Sequence, residues 1–210
     1  MKNVYIVGSG YHYEALFSLF GWNTTKTLEG SDLVLFTGGA DVDPKLYGDA
    51  KHRATHSDVD RDKYEEGVYQ EARKHKIPCV GICRGGQFLN VMNGGRMYQD
   101  VTNHAGFTHM LEDLSHGKQY MVTSTHHQMM MPTENAIILG TAKGVTSERE
   151  WYDGSIKRQD VDNQGIEIVY YPETNSLCYQ PHPEYHQKKG DKFEPMAKAF
   201  FGLIHKWSLS

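Results

Sequence analysis

The segment Gly81-Ile82-Cys83-Arg84-Gly85-Gly86-Gln87 places one cysteine where a continuous apolar run, residues 77–83, meets a glycine turn and the start of a helical pattern. A thiol at such an elbow stands above the strand end. The positive end of the following helix favours its thiolate, and such surroundings lower a free thiol pKa of about 8.5 to roughly 3.5–7.5. The chemistry this group performs is nucleophilic attack on an acyl carbon, with the backbone N–H of Arg84 facing the oxygen on which charge develops. A thiolate also needs a partner that carries a proton to the leaving group. Gln180-Pro181-His182-Pro183-Glu184 supplies an imidazole there, with a carboxylate two residues on that can fix its tautomer. The competing structural readings are a small buried cysteine closing a strand, which is how Cys79 and Cys178 are read, and a proline-rich surface turn. At Cys83 the surrounding glycines favour the functional reading, by letting a substrate approach closely.

Positioning these groups falls to an alternating pattern. Residues 4–7 read as a buried strand, 11–20 as a short helix and 32–36 as a second strand running into Thr37-Gly38-Gly39, a βαβ opening. A polar stretch, 41–57, precedes a helix over 58–76 that repeats Tyr64, Val68 and Ala72 at four-residue intervals, acids early and bases late. A further helix over 86–92 closes at Gly94-Gly95. Beyond Met97 strands dominate, at 120–123, 136–139, 166–171 and 177–180, some of them antiparallel. The last helix, 192–207, aligns Phe193, Ala197, Phe200, Ile204 and Trp207 on one face. The pattern predicts a three-layer α/β/α arrangement in one domain, 1–210, with both halves sharing a sheet.

Composition narrows the class. The 210 residues are 39% hydrophobic with 21 glycines, ordinary for a globular chain, and the net charge of −4 supplies no field for nucleic acid or an anionic membrane. Three cysteines without framework or metal-ligand spacing suggest a reducing compartment, and the cytoplasm is expected. The apolar run ending at Gly8-Ser9-Gly10 is too short for a signal peptide or a spanning helix. His104, His109 and His116 fit no specific metal-ligand spacing and read as surface histidines, so no metal is assigned.

Together the motifs resemble the class I glutamine amidotransferase-like superfamily, and within it the gamma-glutamyl hydrolase or peptidase C26 branch, which includes gamma-glutamyl-GABA hydrolases. The resemblance rests on Thr37-Gly38-Gly39-Ala40-Asp41-Val42-Asp43-Pro44 with Tyr47-Gly48, on Arg61-Asp62 and Glu65, and on Gly81 to Gln87. It continues through Asn90-Val91, Gly94-Gly95, Tyr98-Gln99-Asp100, Ser124-Thr125-His126-His127-Gln128 and the His-Pro-Glu ending. It implies a flavodoxin-like α/β/α fold whose central sheet is mostly parallel with some antiparallel strands. It implies a triad of Cys83, His182 and Glu184, an oxyanion hole from the N–H groups of Gly39 and Arg84, and glutamyl contacts near Gln87, His127 and Gln128.

The expected activity is cleavage of a small gamma-glutamyl amide through a glutamyl thioester, with no cofactor. Such a hydrolase should work without ATP, metal or partner, survive EDTA and lose activity below about pH 6, as a histidine near 6.5 titrates. Two other readings stand beside it: a glutaminase subunit that hands ammonia to a separate synthetase, since no P-loop is present, and a non-catalytic binding protein on the same fold. Three features depart from the branch. The glycine turn comes early, residues 102–118 lack a core pattern, and Gly86 replaces a hydrophobic residue, which is expected to loosen the turn or enlarge the acyl pocket.

Overall fold

In the computed structural model, which describes residues 1–8 and 10–209, the apolar run before Cys83 becomes a strand at the middle of a nine-stranded sheet. Ser9, within the turn expected after the first strand, and Ser210 lie outside the described residues. The first half runs β1 (Lys2–Val7), α1 (Tyr11–Leu19), β2 (Trp22–Thr25), β3 (Leu33–Phe36), α2 (Val59–Lys74), β4 (Cys79–Ile82) and α3 (Arg84–Met92). There follow β5 (Arg96–Tyr98), β6 (Asp100–Val101), β7 (Phe107–Asp113), β8 (Lys118–Ser124), β9 (Met129–Met131) and β10 (Ile137–Lys143). The chain ends with β11 (Ser147–Asp153), β12 (Ile156–Asp162), β13 (Ile166–Tyr171), β14 (Ser176–Tyr179) and α4 (Glu194–Leu203).

The large sheet has the order β2-β1-β3-β4-β14-β13-β10-β7-β8. It is parallel from β2 to β14 and antiparallel from β14 to β8. Every residue of β3, β4 and β14 is buried, as both faces of a parallel sheet must be when helices cover them. Alternation along the strands separates two apolar layers. On one face Val4, Leu35 and Ile82 pack with Leu16 and Phe17 of α1 and Phe200 and Phe201 of α4. On the other Val7, Phe36 and Cys79 pack with Tyr69 and Ala72 of α2 and Phe88 and Leu89 of α3. α2 is capped by Asp58, whose side chain accepts from the N–H of Arg61 at 3.1 Å.

The later half departs in detail from the sequence reading. The segment without a core pattern supplies β7, which pairs in register with β8. The strands do not all join one sheet: β12-β11-β6 and β5-β9 form two small sheets of their own. The last helix is shorter than expected, α4 giving way to a π-helical turn over Ile204–Ser208, although Phe193, Ala197, Phe200, Ile204 and Trp207 all face the core as read. Among the described residues no helix is long and apolar enough to cross a membrane.

Candidate active site

Cys83 caps α3 with φ 52° and ψ −115°, a left-handed conformation that costs a residue with a side chain roughly 1–3 kcal/mol. The elbow is pinned on both sides. The Cys83 N–H donates to the Tyr179 carbonyl at 2.8 Å, and the Cys83 carbonyl accepts from the N–H of Gln87 at 3.0 Å. The neighbouring glycines serve this geometry rather than a substrate. A Cβ on Gly85 would lie 2.1 Å from the Phe36 carbonyl oxygen, and one on Gly86 would lie 2.9 Å from the Tyr179 nitrogen. They let α3 sit directly on the ends of β3 and β14. Gly86 therefore neither loosens the turn nor enlarges the pocket, because its open side faces strand backbone.

The elbow opens into a cavity of about 220 Å³ that Cys83 shares with Gly39, Asp41, Arg84 and the His126–Gln128 segment. Larger clefts, of about 290, 370 and 530 Å³, contain no cysteine. Cys83 retains 8% exposure, whereas Cys79 and Cys178 are sealed at 0%. Burial pushes the Cys79 thiol up to about 12 and raises that of Cys178 as well, so neither forms a thiolate at neutral pH.

The imidazole arrives from the turn after β14. His182 is tied down by its own N–H, which donates to Thr123 Oγ1 at 2.7 Å, and its Nδ1 lies 2.5 Å from Glu184 Oε1. A Cβ on Gly38 would meet His182 Cε1 at 3.2 Å and Cys83 Cβ at 3.7 Å, so the glycine turn lies against both side chains. Burial pulls the His182 pKa down, but hydrogen bonding and charge from Cys83 and Glu184 outweigh it and push it up to about 11. His182 therefore rests as the imidazolium at neutral pH rather than titrating near 6.5.

The turn after β3 is held from behind. Arg61 Nη1 donates to the Gly38 carbonyl at 3.0 Å and Nη2 to the Thr37 carbonyl at 2.9 Å. Since a trans peptide directs its C=O and N–H oppositely, this turns the Gly39 N–H away from Arg61. The Arg61 Nε also bonds Glu65 at 2.7 Å, and the buried Arg84 guanidinium bonds both Glu65 and Asp62. One ionic network thus fastens the glycine turn to the first residue of α3. The Arg84 side chain points into this network while its N–H, in the first turn of α3, has no intrahelical acceptor.

The residues expected near a glutamyl group divide. Gln87 and Gln128 line the cavity with committed amide N–H groups, while Gln128 Oε1 is buried with no partner among the described residues: Gln87 donates to the Gln128 carbonyl at 3.2 Å and to Gln180 Oε1 at 3.1 Å. Gln128 donates to Thr55 Oγ1 at 3.1 Å and the Gln99 carbonyl at 3.2 Å. His127 remains available, with a 37% exposed side chain and Nε2 3.2 Å from Asp41 Oδ1, a hydrogen bond that raises its pKa.

Sequence reasoning missed Tyr13. Its hydroxyl accepts the Gly38 N–H at 3.1 Å, and burial followed by the Glu184 charge pushes the phenol pKa up, keeping it protonated. A tyrosine inside an apolar helix pattern carries no signal of where its hydroxyl ends. It also misplaced His104 and His109, which are buried at 0% and 9% with their side chains turned toward Glu167 of β13; His116 is exposed as expected.

The chain is similar to known proteins in sequence and in fold. The glutamine amidotransferase-like protein YvdE of Lactococcus lactis subsp. lactis is 31% identical over 173 residues, 73% of this chain and 66% of that protein. The carbamoyl phosphate synthase small chain of Ralstonia nicotianae is 29% identical over 111 residues, 53% of this chain and 25% of that one. The chain therefore spans less than two thirds of the length of these curated relatives. The structure of PurLQS from Thermotoga maritima shares the fold, with a TM-score of 0.65, 14% identity and coverage of 97% of this chain and 98% of that one. The central parallel sheet with helices on both faces is that of class I glutamine amidotransferases. The peptidase C26 family model matches residues 22–184, from β2 through Cys83 to the His182–Glu184 turn, and the chain belongs to the peptidase C26 family.

Proposed function

We propose that this chain is a cysteine hydrolase of the glutamine amidotransferase type that cleaves gamma-glutamyl amide bonds through a glutamyl thioester. The observation that carries the reading is the meeting of Cys83, at a positive-φ elbow, with a Glu184-bound imidazole and the Gly38–Gly39 turn. The Cys83 sulfur attacks the gamma carbonyl carbon, and the oxyanion is received by the N–H groups of Gly39 and Arg84. His182 gives its proton to the departing nitrogen as the C–N bond breaks, leaving the thioester. A water then loses a proton to His182, attacks the thioester carbon, and returns glutamate and the thiolate–imidazolium pair. Glu184 keeps the Nδ1 proton in place, Tyr13 holds the Gly38 N–H of the glycine turn, and the His127–Asp41 pair offers a cation and an anion to the alpha-carboxylate and alpha-amine of the glutamyl group.

The test is a screen of glutamine, gamma-glutamyl amines and gamma-glutamyl peptides, wild type against Cys83→Ala. Turnover of a gamma-glutamyl compound by wild type alone supports the reading. A second reading draws on the similarity to a carbamoyl phosphate synthase small chain: a glutaminase subunit passing ammonia to a separate synthetase. Ammonia release from glutamine that appears only when a synthetase is added would favour it. Activity retained by Cys83→Ala, or none on any substrate with or without a synthetase, would sink both.

A further inference from the structure

The mechanism leaves four buried side chains unused. His104, from the loop after β6, His109 of β7, His126, just after β8, and Glu167 of β13 converge with side chains 0–6% exposed. His109 directs Nδ1 to the Met110 carbonyl at 3.1 Å and His126 directs Nδ1 to the Gln128 carbonyl at 2.8 Å. A carbonyl only accepts, so each Nδ1 bears the proton and each Nε2 presents a lone pair to the interior. Both lone pairs face one atom, Glu167 Oε1, at 3.4 Å, and His104 Nδ1 faces it at 3.3 Å. Neither Nε2 and neither Glu167 oxygen has a hydrogen-bond partner among the described residues.

Lone pairs aimed at a carboxylate repel unless positive charge lies between them. Protons would make imidazolium rings, with centroids 4.8–5.3 Å apart, around a single carboxylate, a surplus of buried charge costing several kcal/mol. One divalent ion satisfies all four groups with the imidazoles neutral. A tetrahedron with bonds of about 2.0–2.2 Å has edges of about 3.3–3.6 Å. The three oxygen-to-nitrogen separations have that length, and all four donor atoms lie within 4.8 Å of one another.

We propose that His104, His109, His126 and Glu167 bind a divalent transition metal ion of the zinc class. Three imidazoles and one carboxylate suit zinc and disfavour magnesium or calcium, which take oxygen donors. Four protein ligands in a sealed site make it structural, with no position left for water or substrate. The ion ties β7 and β13 to the His126–Gln128 segment, and so braces one wall of the Cys83 cavity. The spacing of these residues carries no motif because strand pairing, not sequence proximity, assembles them.

The test is metal binding itself and does not depend on finding a substrate. Wild-type protein stripped with a chelator and confirmed folded by circular dichroism is dialysed against Zn²⁺ or Co²⁺ and measured by mass spectrometry for metals. The expected result is about one equivalent per chain, with the intense visible absorption of tetrahedral Co²⁺ and a higher Tm than the stripped protein. Glu167→Gln and His109→Gln should hold less than a tenth of that, and Cys83→Ser the full amount. Folded wild type that takes up less than a tenth of an equivalent overturns the proposal. So does a Cys83→Ser variant that loses the metal, or folded cluster variants that retain it; should those variants not fold, the wild-type reloading decides.

Discussion

Two assemblies of imidazole and carboxylate sit at opposite halves of the sheet. At the end of the parallel half, His182 leans on Glu184 with a 12% exposed side chain and lies beside Cys83, which opens to a cavity. In the antiparallel half, three imidazoles close on Glu167, which is 0% exposed. In the first, partners overrule burial: hydrogen bonding and charge from Cys83 and Glu184 push His182 up to about 11. Residue types therefore do not separate a reactive pair from a sealed one. Access and the third partner do, and in the parallel half those come from loops at the carboxyl ends of strands, where open α/β sheets place their ligands.

The sharpest break of the comparison is Cys83→Ala, which should lower kcat by roughly 10⁴-fold or more, as loss of a nucleophile does in other triads, with the fold intact. Glu167→Gln should not act on the chemical step in this way. If both variants lost kcat equally while folded, the two regions would be one functional unit.

Removing the Arg84 guanidinium, as in Arg84→Met, should cost about 3–5 kcal/mol in denaturant unfolding, because Asp62 and Glu65 would remain buried beside each other without it. A loss under 1 kcal/mol would mean that the network does not hold the elbow to the glycine turn.

Glu184→Gln should unfold like wild type yet reduce kcat about 10²-fold, and His182→Ala should be worse. Wild-type kcat in Glu184→Gln would remove the orienting role.

The smallest effect is in titration. His182 followed by NMR should stay protonated through neutral pH, and Cys83→Ala should lower its pKa by removing one of the two partners that raise it. Since the folded value is raised, its contribution to stability is complete below the unfolded value of about 6.5 and is lost as pH rises toward about 11. A His182 held up at about 11 does not titrate near pH 6, so its protonation does not produce the acid loss expected from sequence. A His182 titrating near 6.5 in wild type would contradict the ion pair.

Much of the parallel half was legible, because β3, β4 and β14 are short apolar runs and the glycines around Cys83 mark close approach of helix to strand. The β11–β12 hairpin was not: its residues are mostly exposed, so no alternation of apolar and polar side chains marks it. The buried histidines were missed for a related reason. His104 and His109 are polar, and only pairing across the sheet shows that they face inward. Cys83, His182 and Glu184 stood out as candidates because two sit within a tripeptide and the third at a glycine elbow, whereas the hydroxyl of Tyr13 and the engaged amide N–H groups of Gln87 and Gln128 depend on tertiary contacts.

The central claim is that Cys83 alone is the acyl acceptor. Its most direct test is intact-protein and peptide mass spectrometry after incubation with a glutamine-analogue electrophile. The account predicts one adduct per chain, on the peptide carrying Cys83, and none on Cys79 or Cys178. Modification of Cys79 or Cys178 with Cys83 untouched would contradict it.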